Sequence, residues 1–76
     1  MIKITFINDR SFMGEDFDEI AKKVKKEDSS LPESVNEFME NMDYRYNLAG
    51  IDLDTSSPEN FFRSIEEEGF CKIEEV

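Results

Sequence analysis

The sequence predicts an α+β fold in which a small antiparallel sheet carries three helices, in the order β-β-α-α-(β)-α-β. Three observations predict it. An alternating apolar pattern opens the chain, three segments with helical start or periodicity signals follow, and a short apolar segment comes after the last glycine. With 76 residues the chain is expected to form a single domain, 1–76. A domain of this size buries only roughly 60% of its unfolded surface, so its core is thin.

The N-terminal stretch MIKITFI alternates as a strand does, with Ile2, Ile4 and Phe6 on one face. The next residues, NDRS, include the turn formers Asn and Asp. Residues 11–13 then predict a short returning strand, which Gly14 ends. The start of the chain is therefore expected to be a β-hairpin.

A first helix is predicted after this hairpin. Asp16 is the expected N-cap, because Glu19 follows three residues later as in a capping box. Apolar residues then recur at helical spacing, at Phe17, Ile20, Ala21 and Val24. Four lysines crowd the C-terminal end, where the helix dipole favours cations: Lys22, Lys23, Lys25 and Lys26.

The second helix is expected to begin at Ser30. Residues 30–33, Ser-Leu-Pro-Glu, have the spacing of a capping box, and proline is tolerated in a first turn. The apolar stripe that follows consists of Val35, Phe38, Met39, Met42 and Tyr46. Gly50 is the expected end of this helix, and residues 51–54 leave open a further short strand.

The third helix begins at a second Ser-x-Pro-Glu segment, residues 56–59. Either Ser56 caps it and Glu59 closes a box, or Ser57 caps it and proline takes the favoured first position. Its buried side is expected to consist of Phe61, Phe62 and Ile65. Gly69 ends the helix and residues 70–73 predict the last strand.

The charge is strongly negative and unevenly distributed. The chain has 19 acidic and 9 basic residues, a net charge of -10. Residues 1–26 contain five acids and six bases, which gives +1, so residues 27–76 carry -11. Direct binding to a nucleic-acid backbone requires clustered Lys or Arg, so the charge argues against it and favours a basic protein partner. The alternative is that the charge only keeps the chain in solution.

Catalytic and cofactor signatures are absent from the sequence. There is no histidine, and the single cysteine, Cys71, excludes a Cys/His metal site and an intrachain disulfide. We therefore expect a protein that is not an enzyme and binds no cofactor. Asp52 and Asp54 could face one cation, but the segment lacks the glycine and the final glutamate of a calcium loop. Cys71 is expected to be a buried, structural thiol.

The location expected from the sequence is the cytoplasm. A lone cysteine suits a reducing compartment. The first residues are too short an apolar run for a secretion signal, and no stretch is long enough to span a membrane. No membrane partner is expected.

The candidate partner-binding residues lie mainly on the second helix. At 100° per residue, the carboxylates of Glu33, Glu37 and Glu40 fall opposite the apolar stripe. Tyr44 and Leu48 fall within the same outward face. A tyrosine among carboxylates has the character of an interface anchor, because it adds contact area with few rotatable bonds. The alternative is an exposed tyrosine with no role.

A second acidic cluster, Glu66, Glu67 and Glu68, falls at the end of the third helix. Carboxylates at this end oppose the helix dipole, which costs stability. Positions that break a local rule in this way are often functional. Fraying, or pairing with the lysines of the first helix, would explain the cluster equally well.

In size, charge and lack of catalytic residues, the chain resembles the small phage-encoded inhibitors of host defence, the anti-CRISPR proteins among them. The resemblance concerns the overall profile of the chain and no particular motif. Those inhibitors have no common fold among themselves, so the resemblance transfers no residue roles. It implies an acidic inhibitor or nucleic-acid-mimicking decoy whose partner is a basic nuclease or nucleic-acid-binding complex. The alternative is a small self-associating adaptor domain, in which homodimers form and the acidic faces remain solvated.

Overall fold

The computed structural model describes all 76 residues. Its elements, in chain order, are β1 (Ile2–Phe6), β2 (Ser11–Gly14), α1 (Phe17–Lys26), α2 (Val35–Asn47), α3 (Pro58–Glu67) and β3 (Cys71–Glu75). The predicted α+β class, the hairpin and the three helices are confirmed. None of these helices is long and apolar enough to cross a membrane.

The sheet is antiparallel, with the strands in the order β2-β1-β3. Ile4 at its centre is aligned with Phe12 on one side and Ile73 on the other, so these apolar side chains share one face. Lys3 and its neighbour Glu74 lie on the opposite face. The helices contact the sheet from the apolar side, where Ile4 is completely buried.

The core is small and wholly apolar. Eleven hydrophobic residues are buried, and no polar or charged residue is buried as a whole. Phe61 and Phe62 of α3 lie at its centre, with their rings in an edge-to-face contact at 5.3 Å. Phe38 of α2 packs edge-on against Phe61 at 5.7 Å. Such pairs add roughly 0.5–1.5 kcal/mol beyond the burial of their area.

The predicted start of the second helix was wrong by four residues. Ser34, not Ser30, is the N-cap, and its hydroxyl accepts the Glu37 N–H at 3.1 Å. The carboxylate of Glu37 in turn accepts the N–H of Glu33, the residue before the cap, at 2.9 Å, so residues 33–37 form a variant of the capping box. Leu31 precedes a proline, which disfavours the helical conformation, and it adopts a left-handed φ of 53°. Glu33 therefore lies before α2 and not on it.

The strand left open at residues 51–54 does not form. Leu53 is buried, and its N–H donates to the Asp43 carboxylate at 2.9 Å. The Asp54 N–H donates to the Ser64 hydroxyl at 3.1 Å. Because side chains of α2 and α3 satisfy this backbone, the segment packs between helices without a strand partner.

The other two N-caps agree with the sequence. Asp16 caps α1, and its carboxylate accepts the Glu19 N–H at 2.8 Å. Of the two serines left open for α3, the structure selects Ser57, whose hydroxyl accepts the Asn60 N–H at 3.1 Å. Pro58 then takes the first helical position, where its missing N–H costs nothing.

Both predicted glycine stops are confirmed. Gly50 and Gly69 follow α2 and α3 with φ of 81° and 83°, values that only glycine adopts without strain. Beyond Gly50 the Ile51 N–H returns to the Tyr46 carbonyl at 3.0 Å, and the Phe70 N–H makes the equivalent bond at 3.2 Å. The rings of Tyr46 and Phe70 then meet at 5.5 Å, so the C-terminal ends of α2 and α3 lie side by side.

A charged side chain from a helix blocks each open edge of the sheet. At the β2 edge, the Lys23 ammonium of α1 donates to the Met13 carbonyl at 2.5 Å. At the β3 edge, the Ile73 N–H donates to the Glu66 carboxylate of α3 at 2.8 Å. Both backbone groups point away from β1, where a strand of another chain would bind them. We call these two contacts the edge plugs.

The edge plugs predict the behaviour of the Lys23→Ala/Glu66→Ala variant. It should self-associate with rising concentration in sedimentation velocity, because both edges then offer unpaired backbone groups. Each lost bond should also reduce the free energy of unfolding by about 1 kcal/mol. The matched control, Lys22→Ala/Glu67→Ala, removes the same charges from the same helices and should sediment as the wild-type chain does. A variant that stays monomeric would show that the plugs do not control association.

Candidate protein-binding surfaces

The outward side of α2 carries most of the residues selected from the sequence. Glu37, Glu40, Tyr44 and Leu48 are all exposed, with Tyr44 66% and Leu48 74% accessible. Glu33 is exposed as well, although it precedes the helix. Glu37 and Glu40 are three residues apart, so their Cβ atoms are about 5–6 Å from each other. We call these five residues the α2 acidic face.

Leu31, in the loop before α2, was not selected from the sequence as a candidate residue. Its side chain is 79% exposed, the most exposed large hydrophobic residue of the chain. The Asn41 side-chain amide of α2 donates to the Ser30 hydroxyl at 3.5 Å, which holds the loop against the helix next to Tyr44. A leucine held in a left-handed loop was not recognisable while residues 30–33 were assigned to a helix start.

The carboxylates of the α2 acidic face have no cationic partner. The five ion pairs of the structure use Asp18, Glu19, Glu27, Asp28 and Glu59. Glu33, Glu37 and Glu40 are in none of them. The carboxylates of Glu33 and Glu40 make no hydrogen bond within the chain, and that of Glu37 accepts only the Glu33 N–H, so the charge of all three faces solvent.

The second acidic cluster divides into two kinds of residue. Glu66 is partly buried, and its carboxylate forms the β3 edge plug with Ile73. This internal hydrogen bond gives a structural reason for an acid at the end of α3. Glu67 and Glu68 are exposed and unpaired, and they do not pair with the lysines of α1. The Tyr46–Phe70 contact places this cluster at the same end of the molecule as Leu48.

Asp28 is the most enclosed carboxylate of the structure among those in ion pairs. Only 3% of its side chain is accessible, and it accepts hydrogen bonds from the Ser30 N–H, the Ser30 hydroxyl and Arg45, all at 2.9 Å. Burial alone raises the pKa of Asp28, but these bonds outweigh burial and hold the pKa below its ordinary value of 3.8. The bonds join the end of α1, the loop and α2. Ser30 therefore anchors this loop instead of capping a helix.

An apolar cleft opens beside Asp28 and Arg45. It lies between the β1–β2 turn, the C-terminal end of α1, and α2. Its volume is about 500 Å³, and eight of its fourteen lining residues are hydrophobic. Two ion pairs lie at its rim, Arg10 with Glu27 and Arg45 with Asp28. No pattern in the sequence predicted this cleft, because its wall combines residues far apart in the chain. The size is within the range of ligand pockets in proteins.

The other groups singled out from the sequence do not form a reactive centre. Cys71 is buried as predicted, and burial, with a smaller effect of the Glu66 charge, raises the pKa of its thiol to about 11. Asp54 accepts hydrogen bonds from the Ser56 N–H and hydroxyl, which lower the pKa of its carboxyl. No three acidic or cysteine side chains of the chain are grouped as metal ligands.

The Asp28 cluster predicts a pH-dependent stability. Because the pKa of Asp28 is lowered by folding, its contribution is fully present above its ordinary value and is lost as pH falls through the lower folded value. Asp28→Asn should cost about 1–2 kcal/mol of unfolding free energy at neutral pH and less at about pH 3. Urea unfolding followed by circular dichroism measures both. Asp52→Asn, at an exposed position, is the control, and an equal cost at both pH values would contradict the role of the charge.

The buried thiol predicts slow chemical labelling. At about pH 8 a thiol of pKa near 11 is almost entirely protonated, and Cys71 is also shielded by the fold. Labelling by a disulfide reagent should therefore be at least about 100-fold slower than in urea-unfolded chain. Equal rates in the two states would show that β3 and α3 separate freely.

No match to this chain is found among protein families, curated proteins or solved structures. Residue roles cannot be transferred from a relative for this reason. The function is inferred from the surfaces described above.

Proposed function

We propose that this protein is a non-enzymatic acidic binding protein that acts as an inhibitor or nucleic-acid-mimicking decoy. It engages the basic surface of a nucleic-acid-binding protein or nuclease complex through the α2 acidic face. The observation that carries the proposal is the exposure of Tyr44 and Leu48 among glutamates that have no internal cation.

The arrangement has the composition of an interface centre with a charged rim. Tyr44 and Leu48 are four residues apart on α2, so they lie next to each other on the helix surface. Two large apolar side chains with this exposure are anchors that a partner can desolvate. Glu40 is one helical turn before Tyr44, and Glu37 and Glu33 continue the negative charge towards the start of α2. Charge of this kind raises the rate of encounter with a basic surface and disfavours acidic partners.

The distribution of charge over the fold supports a basic protein partner over nucleic acid. Three of the four basic residues without an ion pair are lysines on β1 and α1, Lys3, Lys25 and Lys26. Residues 27–76 carry -11, and this part includes all of α2 and α3. A phosphate backbone would be repelled from those helices, whereas a surface that normally binds phosphates would be attracted.

Self-association is the competing function, and the edge plugs weigh against its strand-mediated form. Lys23 and Glu66 each occupy one of the outward-facing backbone groups through which the sheets of two copies would join. Two copies that met through their α2 acidic faces would also bring like charges together. Sedimentation equilibrium decides between the two functions, because a stable dimer of the wild-type chain would favour the adaptor.

The proposal predicts the effect of neutralising the α2 acidic face. Tagged protein is incubated with cell lysate at low salt, and captured proteins are identified and tested for nucleic-acid binding. The Glu33/Glu37/Glu40→Gln variant should capture the basic partner about tenfold less well, and so should Tyr44→Ser, because anchors typically contribute more than 1 kcal/mol. Added wild-type protein should compete with nucleic acid for the purified partner.

The controls remove the same number of carboxylates and an exposed hydrophobic side chain from other parts of the surface. Glu15/Glu74/Glu75→Gln also removes three exposed carboxylates, and Val76→Ser removes an exposed hydrophobic side chain away from α2. Glutamine at residue 37 can still accept the Glu33 N–H, so the start of α2 is preserved. If the controls lose the partner equally, the α2 acidic face is not the binding surface. Binding that does not weaken between low and high salt would contradict the electrostatic mechanism.

A further inference from the structure

The apolar cleft is a second binding site, and we infer that it receives a bulky uncharged side chain of the same basic partner, an aromatic anchor. This inference rests on the proposed function and adds a specific contact to it. The evidence lies in the lining of the cleft, the pairing of its charges and the closeness of its Arg45 rim to Leu48.

The floor of the cleft is aromatic. Phe6, Phe12, Tyr46 and Phe70 contribute rings from β1, β2, α2 and the segment after α3, and Met42 adds an adaptable thioether side chain. None of these five is fully buried by the chain itself. Aromatic and methionine surfaces suit an aromatic occupant, because offset and edge-on ring contacts add to the burial of area.

The charges at the rim select against a charged occupant. Arg10 is ion-paired with Glu27, and its guanidinium also lies 5.8 Å from the centre of the Phe12 ring. Arg45 is paired with the enclosed Asp28 at 2.9 Å. The two arginines and two acids cancel, so an ion entering the cleft would lose hydration without gaining an unpaired partner. An uncharged aromatic group has no such cost.

The position of the cleft determines which molecule can supply that group. Arg45, which forms part of its wall, is the next residue to Tyr44 and lies three residues before Leu48. Ser29 at the rim is two residues from the exposed Leu31. Glu37 and Glu40 project from the opposite side of α2 to Met42 and Tyr46 of the cleft, and Leu48 lies between the two sides, next to Arg45. A partner anchored on Tyr44 and Leu48 therefore reaches the mouth of the cleft across Arg45. Ile7, 69% exposed, lies on the other side of the mouth and offers the occupant a further apolar contact.

The test uses the fact that this chain contains no tryptophan. The probe is a synthetic lysine-rich peptide with one central tryptophan, compared with the same peptide carrying alanine there. Tryptophan emission then comes from the peptide alone, and it shifts to shorter wavelength when the indole enters an apolar site. The tryptophan peptide should bind about tenfold more tightly than the alanine peptide, as measured by anisotropy of a labelled terminus.

The cleft is blocked by Ser29→Tyr, which places a bulky side chain at an exposed rim position. This variant should abolish the emission shift and bind both peptides with the affinity of the alanine peptide. Ser11→Tyr makes the same change at an exposed residue of β2 outside the cleft and should behave as wild type. Leu48→Ser should weaken both peptides while the emission shift at saturation persists.

Two results would overturn the inference and leave the proposed function standing. One is equal affinity for the two peptides, and the other is an unchanged emission shift in Ser29→Tyr. Failure of both peptides to bind at low salt would instead contradict the acidic surface. In that case the neutral probe N-acetyltryptophanamide tests the cleft alone by NMR. Shifts grouped at Phe12, Ser29 and Tyr46 would retain the cleft, and their absence would overturn it.

Discussion

The fold depends on two neighbouring phenylalanines of α3. Phe61 packs against Phe38 of α2. Phe62 packs against Phe6 of β1 and Phe17 of α1, with distances between ring centres of 6.5 Å and 6.4 Å. Successive residues of a helix point about 100° apart, so one turn of α3 serves two different neighbours. α2, β1 and α1 are thereby all packed against the same short segment of α3. In a core of eleven side chains, truncating either ring to alanine would cost about 3–5 kcal/mol, a large part of the stability of a small domain.

This thin core determines where the charges lie. No charged residue is buried as a whole, so ion pairs form at the surface between residues close in sequence or across loops. Three of the five are spaced i,i+4 on helices, and the other two hold the loop and the hairpin turn to their neighbours. Arg10, Arg45 and Arg63, the only arginines, are all used in this way. The acids of α2 are left over because no cation remains near them.

The sequence was sufficient to predict the structure of a segment where that structure depends on interactions between residues close in the chain. The caps at Asp16 and Ser57 and the stops at Gly50 and Gly69 each depend on residues within a few positions, and all were predictable. The start of α2 was mispredicted because two Ser-x-x-Glu patterns compete within eight residues. The left-handed φ of Leu31 and the hydrogen bonds of Ser30 to Asp28 favour the second pattern. The exposure of Tyr44 and Leu48 was predictable from helical periodicity, which fixes directions once a helix exists.

What the sequence could not supply arises from contacts between distant segments. The cleft forms where three segments lie apart from one another: the hairpin turn, the C-terminal end of α1, and α2. The hydrophobic periodicity of each segment does not determine the distance between the segments. The β3 edge plug depends on the Schellman turn at Gly69, which folds β3 back until the Ile73 N–H meets Glu66, seven residues earlier. The same turn brings Phe70 to Tyr46, and both rings line the cleft. One glycine conformation therefore sets the sheet edge, the joined ends of α2 and α3, and one wall of the inferred binding site. An alanine at residue 69 would act on all three together, because any side chain strains a φ of 83° even where space is open.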